Sequence, residues 1–163
     1  MTTPTTTPNS TDKTFLPNSR ILEVFVWAAA IYIAYVFIPA DIGKFGAKPF
    51  PVHLFTILTD WLSLSGHEAQ FRLFTASCEV IATVLILLPW TRIYGALLTL
   101  AIMSGAIFFH VCSPLGLDPA HDGGHLFTKA CVVWILSVFV IWVRRREFRI
   151  LLSRIRGVPS YAA

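Results

Sequence analysis

The sequence predicts an all-α membrane protein, a transmembrane four-helix bundle with a short interfacial or re-entrant helix in its first outer loop. Composition is the first reason, since 55% of the 163 residues are hydrophobic and the mean hydropathy is +0.67. Charged residues make up 13% of the chain, against about 25% in a typical soluble domain. The second reason is four apolar segments of about 20 residues each, the length that crosses about 30 Å of hydrocarbon. An ordinary soluble globular protein is excluded.

The four predicted spans follow one another with few charges inside them. Their ranges, in chain order, are 21–40, 71–90, 93–115 and 126–143. The ionisable side chains that stand out within these apolar runs are, in the same order, Glu23, Glu79, His110 and Lys129. Just before the second span, Ser65 and Glu68 have the S-x-x-E spacing of a capping box, which predicts a helix start there.

The first outer loop, residues 41–70, contains a short apolar stretch with helical spacing. Pro49 and Pro51 precede this stretch and Gly66 follows it. At about 14 residues the stretch is shorter than the roughly 20 needed to span a bilayer, so an interfacial or re-entrant helix is expected.

The two ends of the chain differ from the spans and from each other. Residues 1–20 are rich in Thr, Pro, Asn and Ser and are predicted to be a disordered tail. Residues 144–163 form a basic tail that alternates arginines with apolar residues, as expected of a helix on an anionic leaflet. Nine Lys and Arg residues fall on the side of both tails and three on the other. The positive-inside rule therefore places both termini in the cytoplasm, and the basic cluster indicates topology rather than nucleic-acid binding.

Ionisable groups inside the spans are the candidate functional residues. A charge at the bilayer centre costs at least about 2.5–3.5 kcal/mol, so Glu79, His110 and Lys129 are expected to face the bundle interior and to partner one another. A rise of about 1.5 Å per residue places all three in the outer half of the membrane. Asp41 and Lys44 follow the first span and are expected at its outer mouth. The predicted site is a polar pocket open to the non-cytoplasmic side, able to bind a ligand or to relay a proton.

Other interpretations of these residues stay open. Glu79 and Lys129 are also consistent with a buried ion pair that only fixes helix packing, with His110 as a hydrogen-bonded core residue. A metal ion is not favoured, because Gly123 and Gly124 interrupt the helix that an H-x-x-x-H site needs. The weak candidate metal ligands are His110, His121, His125 and Glu79.

Two further patterns concern packing. The cysteines lack CxxC spacing and are expected to be buried structural thiols, with no disulfide framework. They are Cys78, Cys112 and Cys131. Ala101 and Gly105, at i and i+4 on the third span, predict a close-packing surface for another helix in the same chain or in a neighbour, which leaves an oligomer open.

Four short motifs, in the right order along the four helices, resemble the DoxX family of four-helix membrane proteins. The likeness covers about residues 21–143, and Pro89 departs from it where many relatives carry glycine. In chain order the motifs are the run DIGKF at 41–45, Glu79 within CEV followed by Arg92, the M-x-x-A-x-x-x-H pattern from Met103 to His110, and the run DGGHLF at 122–127.

The resemblance implies a protein of the bacterial inner membrane, with Lys44, Glu79 and His110 as the shared polar set. It also implies a link to redox biology, because relatives include the small membrane subunit of thiosulfate:quinone oxidoreductase. The leading hypothesis is a subunit of a quinone-linked membrane complex whose outer-facing pocket binds a quinone headgroup. Its expected partners are membrane lipid and a membrane or redox protein.

Under the leading hypothesis, the chain is not expected to be catalytic alone. Nothing in the sequence matches a ligand set for haem, flavin or an iron–sulfur cluster, so the redox chemistry is expected to lie in the partner. No covalently bound cofactor is expected. The two alternative functions are a structural or assembly subunit of a membrane complex and a metal or proton permeation path.

Overall fold

The computed structural model describes residues 19–121 and 123–145, and this part of the chain is helical with short connections. Ser19 and Arg20 begin the first helix, and Arg144 and Arg145 follow the last. The predicted disordered tail at 1–20 and basic tail at 144–163 otherwise lie outside the described residues. The helices are α1 Ser19–Phe45, α2 Pro49–Trp61, α3 Glu68–Leu87, α4 Arg92–Cys112 and α5 His125–Val143.

Helices α1, α3, α4 and α5 form the predicted four-helix bundle. Each is long and apolar enough to cross a membrane. Helix α3 packs against α1 and α4, and α5 packs against α4 and α1. Large apolar side chains on the outside of the bundle are exposed, as expected of surfaces that face lipid. The chain is therefore a multi-pass integral membrane protein. Its core contains Val26, Ala30, Ile33, Phe37, Ile86, Ala96, Val133 and Val140.

The short helix predicted in the first loop is α2, which has 13 residues. Prolines occupy its first turn, where a missing N–H costs no helical hydrogen bond. Helix α2 lies against the ends of α3 and α4 through aromatic rings. The ring centroids of Phe55 and Phe71 are 5.6 Å apart, and those of Trp61 and Phe109 are 6.2 Å apart. These contacts hold α2 over one end of the bundle.

Helix α1 is longer than predicted. The predicted end was Ala40, but the helix continues through Pro39 to Phe45. Arg72 of α3 caps this end of α1, because its Nη1 donates a hydrogen bond to the backbone oxygen of Lys44 in the last turn. The extension keeps Asp41 and Lys44 on one helical face, at the i, i+3 spacing.

The predicted capping box before α3 is wrong. The residue at the N-cap is His67, and it makes no side-chain capping bond. Helix α3 begins at Glu68, whose carboxylate accepts a hydrogen bond of 2.5 Å from the Nε of Arg72. The Glu68 carboxylate, which a capping box would use, instead pairs with Arg72 one turn further along the helix.

The opposite end of the bundle is held by a cluster that we call the Arg92 cluster, composed of Glu23, Trp27, Arg92 and Arg144. The side chain of Arg92 is fully buried; its Nε donates to the backbone oxygen of Ile86 at 3.0 Å and its Nη1 donates to Glu23 at 2.9 Å. Arg144 donates to both oxygens of Glu23, at 2.9 and 3.0 Å. The Arg92 guanidinium lies 4.2 Å from the ring centroid of Trp27. This cluster ties α1, α3, α4 and the residue after α5 together.

Candidate functional site

The candidate site is a cavity of about 1000 Å³ in the half of the bundle that contains Lys44. We call it the central cavity. Side chains from all five helices line it, and most of its wall is apolar. Seven ionisable side chains also line it: Tyr35, Lys44, Lys48, Cys78, Glu79, His110 and Lys129. Large, mostly apolar cavities with a few polar groups are the usual form of small-molecule sites.

Lys44 lies between two carboxyl groups. Its Nζ donates a hydrogen bond to Oε2 of Glu79 on α3 and lies 3.5 Å from Oδ1 of Asp41 on α1. Asp41 and Glu79 are each 4% exposed, and the Lys44 side chain is 13% exposed. The expected pairing of Glu79 with Lys129 is not formed, because Lys44 takes that place. The three residues Asp41, Lys44 and Glu79 are called the Lys44 triad below.

His110 is buried near the end of α4, and its ring is held from both sides. Nδ1 lies 2.7 Å from the backbone oxygen of Gly116. A carbonyl oxygen can only accept, so Nδ1 carries a hydrogen and donates it. The ring also packs edge-on against Phe127, with centroids 5.6 Å apart. The expected bonds of His110 to Glu79 and Lys129 are not formed in the described chain. Its second ring nitrogen, Nε2, is the one left for other partners.

Lys129 lies on α5 at the wall of the central cavity. Its side chain is exposed, and it makes no hydrogen bond or ion pair with any residue in 19–121 or 123–145. The sequence placed Lys129 near Glu79 and His110, and all three do line one cavity. What the structure changes is the partner of each one.

The cysteines differ in part from expectation, and the described chain supplies no helix for the surface at Ala101 and Gly105, which leaves the neighbouring-chain alternative open. Cys112 is exposed rather than buried, whereas Cys78 and Cys131 are partly buried, and Cys78 lines the central cavity. Ala101 and Gly105 also line this cavity, and no atom lies within 4 Å of a Cβ built at Gly105. No helix of the described chain packs on that position.

The weak metal ligands are not gathered around one point in the described parts of the chain. Within residues 19–121 and 123–145 no group of three or more His, Cys, Asp or Glu side chains is close enough to hold a metal ion. Gly123 and Gly124 have φ values of +80° and +78° and form the predicted turn, so α5 begins only at His125. Asp122 lies outside the described residues.

Arg72 is the residue that sequence reasoning missed. By sequence it counted only among the three positive charges of the non-cytoplasmic side, yet it is 5% exposed and joins α3 to the end of α1. The signal that points to it is Glu68, four residues earlier, because charges at i and i+4 on a helix face each other. Held by Glu68, Arg72 binds the backbone oxygen of Lys44 and so positions Lys44 at the level of Glu79 along the bundle.

No family model, curated protein or solved structure matches this chain. The resemblance to the DoxX family accordingly stays a prediction that rests on its four motifs. The central cavity and the charged groups in its wall are the observations from which a function is inferred.

Proposed function

We propose that this chain is a DoxX-like membrane subunit that binds a small amphipathic ligand, a quinone or a molecule with a similar polar headgroup, in the central cavity. The observation that carries the proposal is a mostly apolar cavity of about 1000 Å³ whose wall includes Lys129, an ammonium group without a partner among residues 19–121 and 123–145. An apolar wall suits the hydrophobic part of such a ligand, and an ammonium group suits a headgroup oxygen.

Three ionisable groups in the wall have roles in this proposal. Lys129 donates a hydrogen bond to a headgroup oxygen. Neutral His110 has Nε2 as an acceptor, because Nδ1 donates to Gly116. It therefore accepts from a quinol hydroxyl, and it donates to a quinone carbonyl only as imidazolium. Glu79 exchanges a proton with the headgroup.

The proposal includes a location and a partner. The excess of Lys and Arg beside the chain ends favours cytoplasmic termini, with the central cavity in the half of the bilayer away from the cytoplasm. A bacterial inner membrane and a redox protein partner follow from the DoxX resemblance. In that arrangement this subunit holds the ligand while its partner exchanges the electrons.

A structural or assembly role is the second candidate, and a specific observation favours it. Lys44 already has two carboxyl partners, and Arg72 is bonded to Glu68 and to the backbone of Lys44. Buried charges that satisfy one another in this way also serve to fix helix packing. The two candidate functions differ in the role they give Lys129, which has no such partner within the described part of the chain.

Ligand occupancy is expected to protect Cys78 from alkylation, because Cys78 lines the central cavity beside Glu79. The protein for this test retains Cys78 and carries Cys112→Ser and Cys131→Ser. A short-chain ubiquinone at ten times its Kd is expected to slow maleimide labelling of Cys78 about tenfold. The matched protein keeps only Cys112, which lies outside the cavity, and its labelling rate is expected to stay constant. Equal rates with and without ubiquinone at Cys78 contradict the proposal.

Lys129→Met is expected to weaken ubiquinone binding by about tenfold to a hundredfold, the value of a hydrogen bond from a charged donor, about 1.5–3 kcal/mol. The free energy of unfolding is expected to change by less than about 0.5 kcal/mol, because the substitution removes no bond within the described chain. Protection of Cys78 measures the binding, and denaturation in mixed micelles measures the stability.

Arg20→Met is the matched control, because it removes one exposed positive charge at the other end of the bundle. Its ubiquinone affinity is expected to equal that of the unmodified protein. A Lys129→Met protein that binds as tightly as the control, or that loses stability instead of affinity, favours the structural role.

A further inference from the structure

The Lys44 triad places two carboxyl groups around one ammonium group. Nζ of Lys44 bonds to both carboxyls. All three side chains are largely buried. One positive group therefore faces two groups that are each able to carry a negative charge.

Charge balance limits how many protons this arrangement holds. With both carboxyls ionised, the triad has a net charge of −1 in a site removed from water, and an uncompensated buried charge costs several kcal/mol. One proton on either carboxyl group removes this net charge, so charge balance calls for one proton on the pair.

The neighbouring charged groups do not supply the missing positive charge. Arg72 of α3 is already bonded to Glu68 at 2.5 Å, so that pair is neutral as a unit. The remaining titratable side chains at the central cavity come from α1, the loop before α2, α3, α4 and α5. None of these is hydrogen-bonded to Asp41 or Glu79 in the described chain: Tyr35, Lys48, Cys78, His110 and Lys129.

We propose that the Lys44 triad stores one exchangeable proton, shared between the carboxyl groups of Asp41 and Glu79. Glu79 lines the central cavity, whereas Asp41 is not part of its wall. The proton accordingly leaves from Glu79: its O–H bond breaks, a new bond to hydrogen forms on the headgroup atom, and the triad keeps both carboxylates beside Lys44. Asp41 is a positioning residue in this arrangement. Transfer to a headgroup rests on the proposed function, but the stored proton needs no ligand.

Infrared spectroscopy of the ligand-free protein in lipid vesicles tests the stored proton. At neutral pH the unmodified protein is expected to show the C=O stretching band of a carboxylic acid, at an intensity of one group per chain, shifted by exchange into D₂O. Asp41→Asn and Glu79→Gln are each expected to abolish this band, because the remaining carboxylate then has Lys44 to itself. Glu68→Gln is the matched control and is expected to leave the band unchanged, since Glu68 pairs with one arginine.

Absence of the band from the unmodified protein overturns the proposal, and this measurement stands even where a variant fails to fold. A band that survives both Asp41→Asn and Glu79→Gln also overturns it. The experiment contains no ubiquinone, so its failure is distinct from a failure of ligand binding. A band that is present while Cys78 remains unprotected by ubiquinone supports the stored proton and rejects the quinone.

Discussion

Replacement of Arg92 by methionine is expected to lower the free energy of unfolding by about 3 kcal/mol or more. The guanidinium is fully buried and donates to the backbone oxygen of Ile86 and to the carboxylate of Glu23. Hydrogen bonds to charged groups contribute about 1.5–3 kcal/mol each. Its position over the Trp27 ring adds up to about 2 kcal/mol for a desolvated cation–π contact. Methionine fills much of the volume but replaces none of these bonds.

Denaturation in mixed micelles measures the loss, and Arg145→Met is the matched control. Arg145 is exposed, and its guanidinium lies 5.2 Å from the ring centroid of Trp142. Its replacement is expected to cost less than about 0.5 kcal/mol, the usual effect of a surface change. In a double-mutant cycle, Glu23→Gln is expected to cost less in the Arg92→Met protein than in the unmodified one. Equal losses of unfolding free energy for Arg92→Met and Arg145→Met would contradict the inference that the Arg92 cluster holds the helix ends together.

The positions of the spans were predictable because they depend on hydropathy and length alone. The third span was predicted at 93–115 and is Arg92–Cys112, and the fourth was predicted at 126–143 and is His125–Val143. The short helix of the first loop was predicted for the same reason, since about 14 apolar residues are too few to cross a bilayer. These features need no knowledge of how one helix faces another.

The partners of the charged residues were not predictable, because they depend on the rotation of each helix. A helix that is apolar all round has no preferred buried face in its own sequence. The sequence therefore placed Glu79 and Lys129 at similar depth but did not show which lysine pairs with Glu79. The continuation of α1 beyond Pro39 determines this partner, because the extra turn brings Lys44 to Glu79. A proline normally indicates a helix end, and here Arg72 of α3 caps the longer helix.

Gly95→Ala is expected to be the second large loss, about 3 kcal/mol, although alanine is the better helix former. Gly95 lies where α4 crosses the end of α3. A Cβ at this position would lie 2.7 Å from the Cα of Ile86 and from the carbonyl carbon of Leu85, and closer still to the Ile86 nitrogen. These are backbone atoms and cannot rotate away, so the helices must separate. Overpacking of this kind costs about 1–3 kcal/mol and occasionally more.

Separation of α3 from α4 would also strain the bonds that join them at this end. Thr91 donates its hydroxyl hydrogen to the oxygen of Leu85 at 2.9 Å, and Arg92 donates to the oxygen of Ile86. Gly105→Ala, on the same helix, separates the steric effect from helix propensity, because no atom lies within 4 Å of its Cβ position. It is expected to raise the free energy of unfolding by up to about 1 kcal/mol. Thermal melting in micelles measures both variants, and a Gly95→Ala protein as stable as Gly105→Ala would show that α3 and α4 do not approach this closely in the membrane.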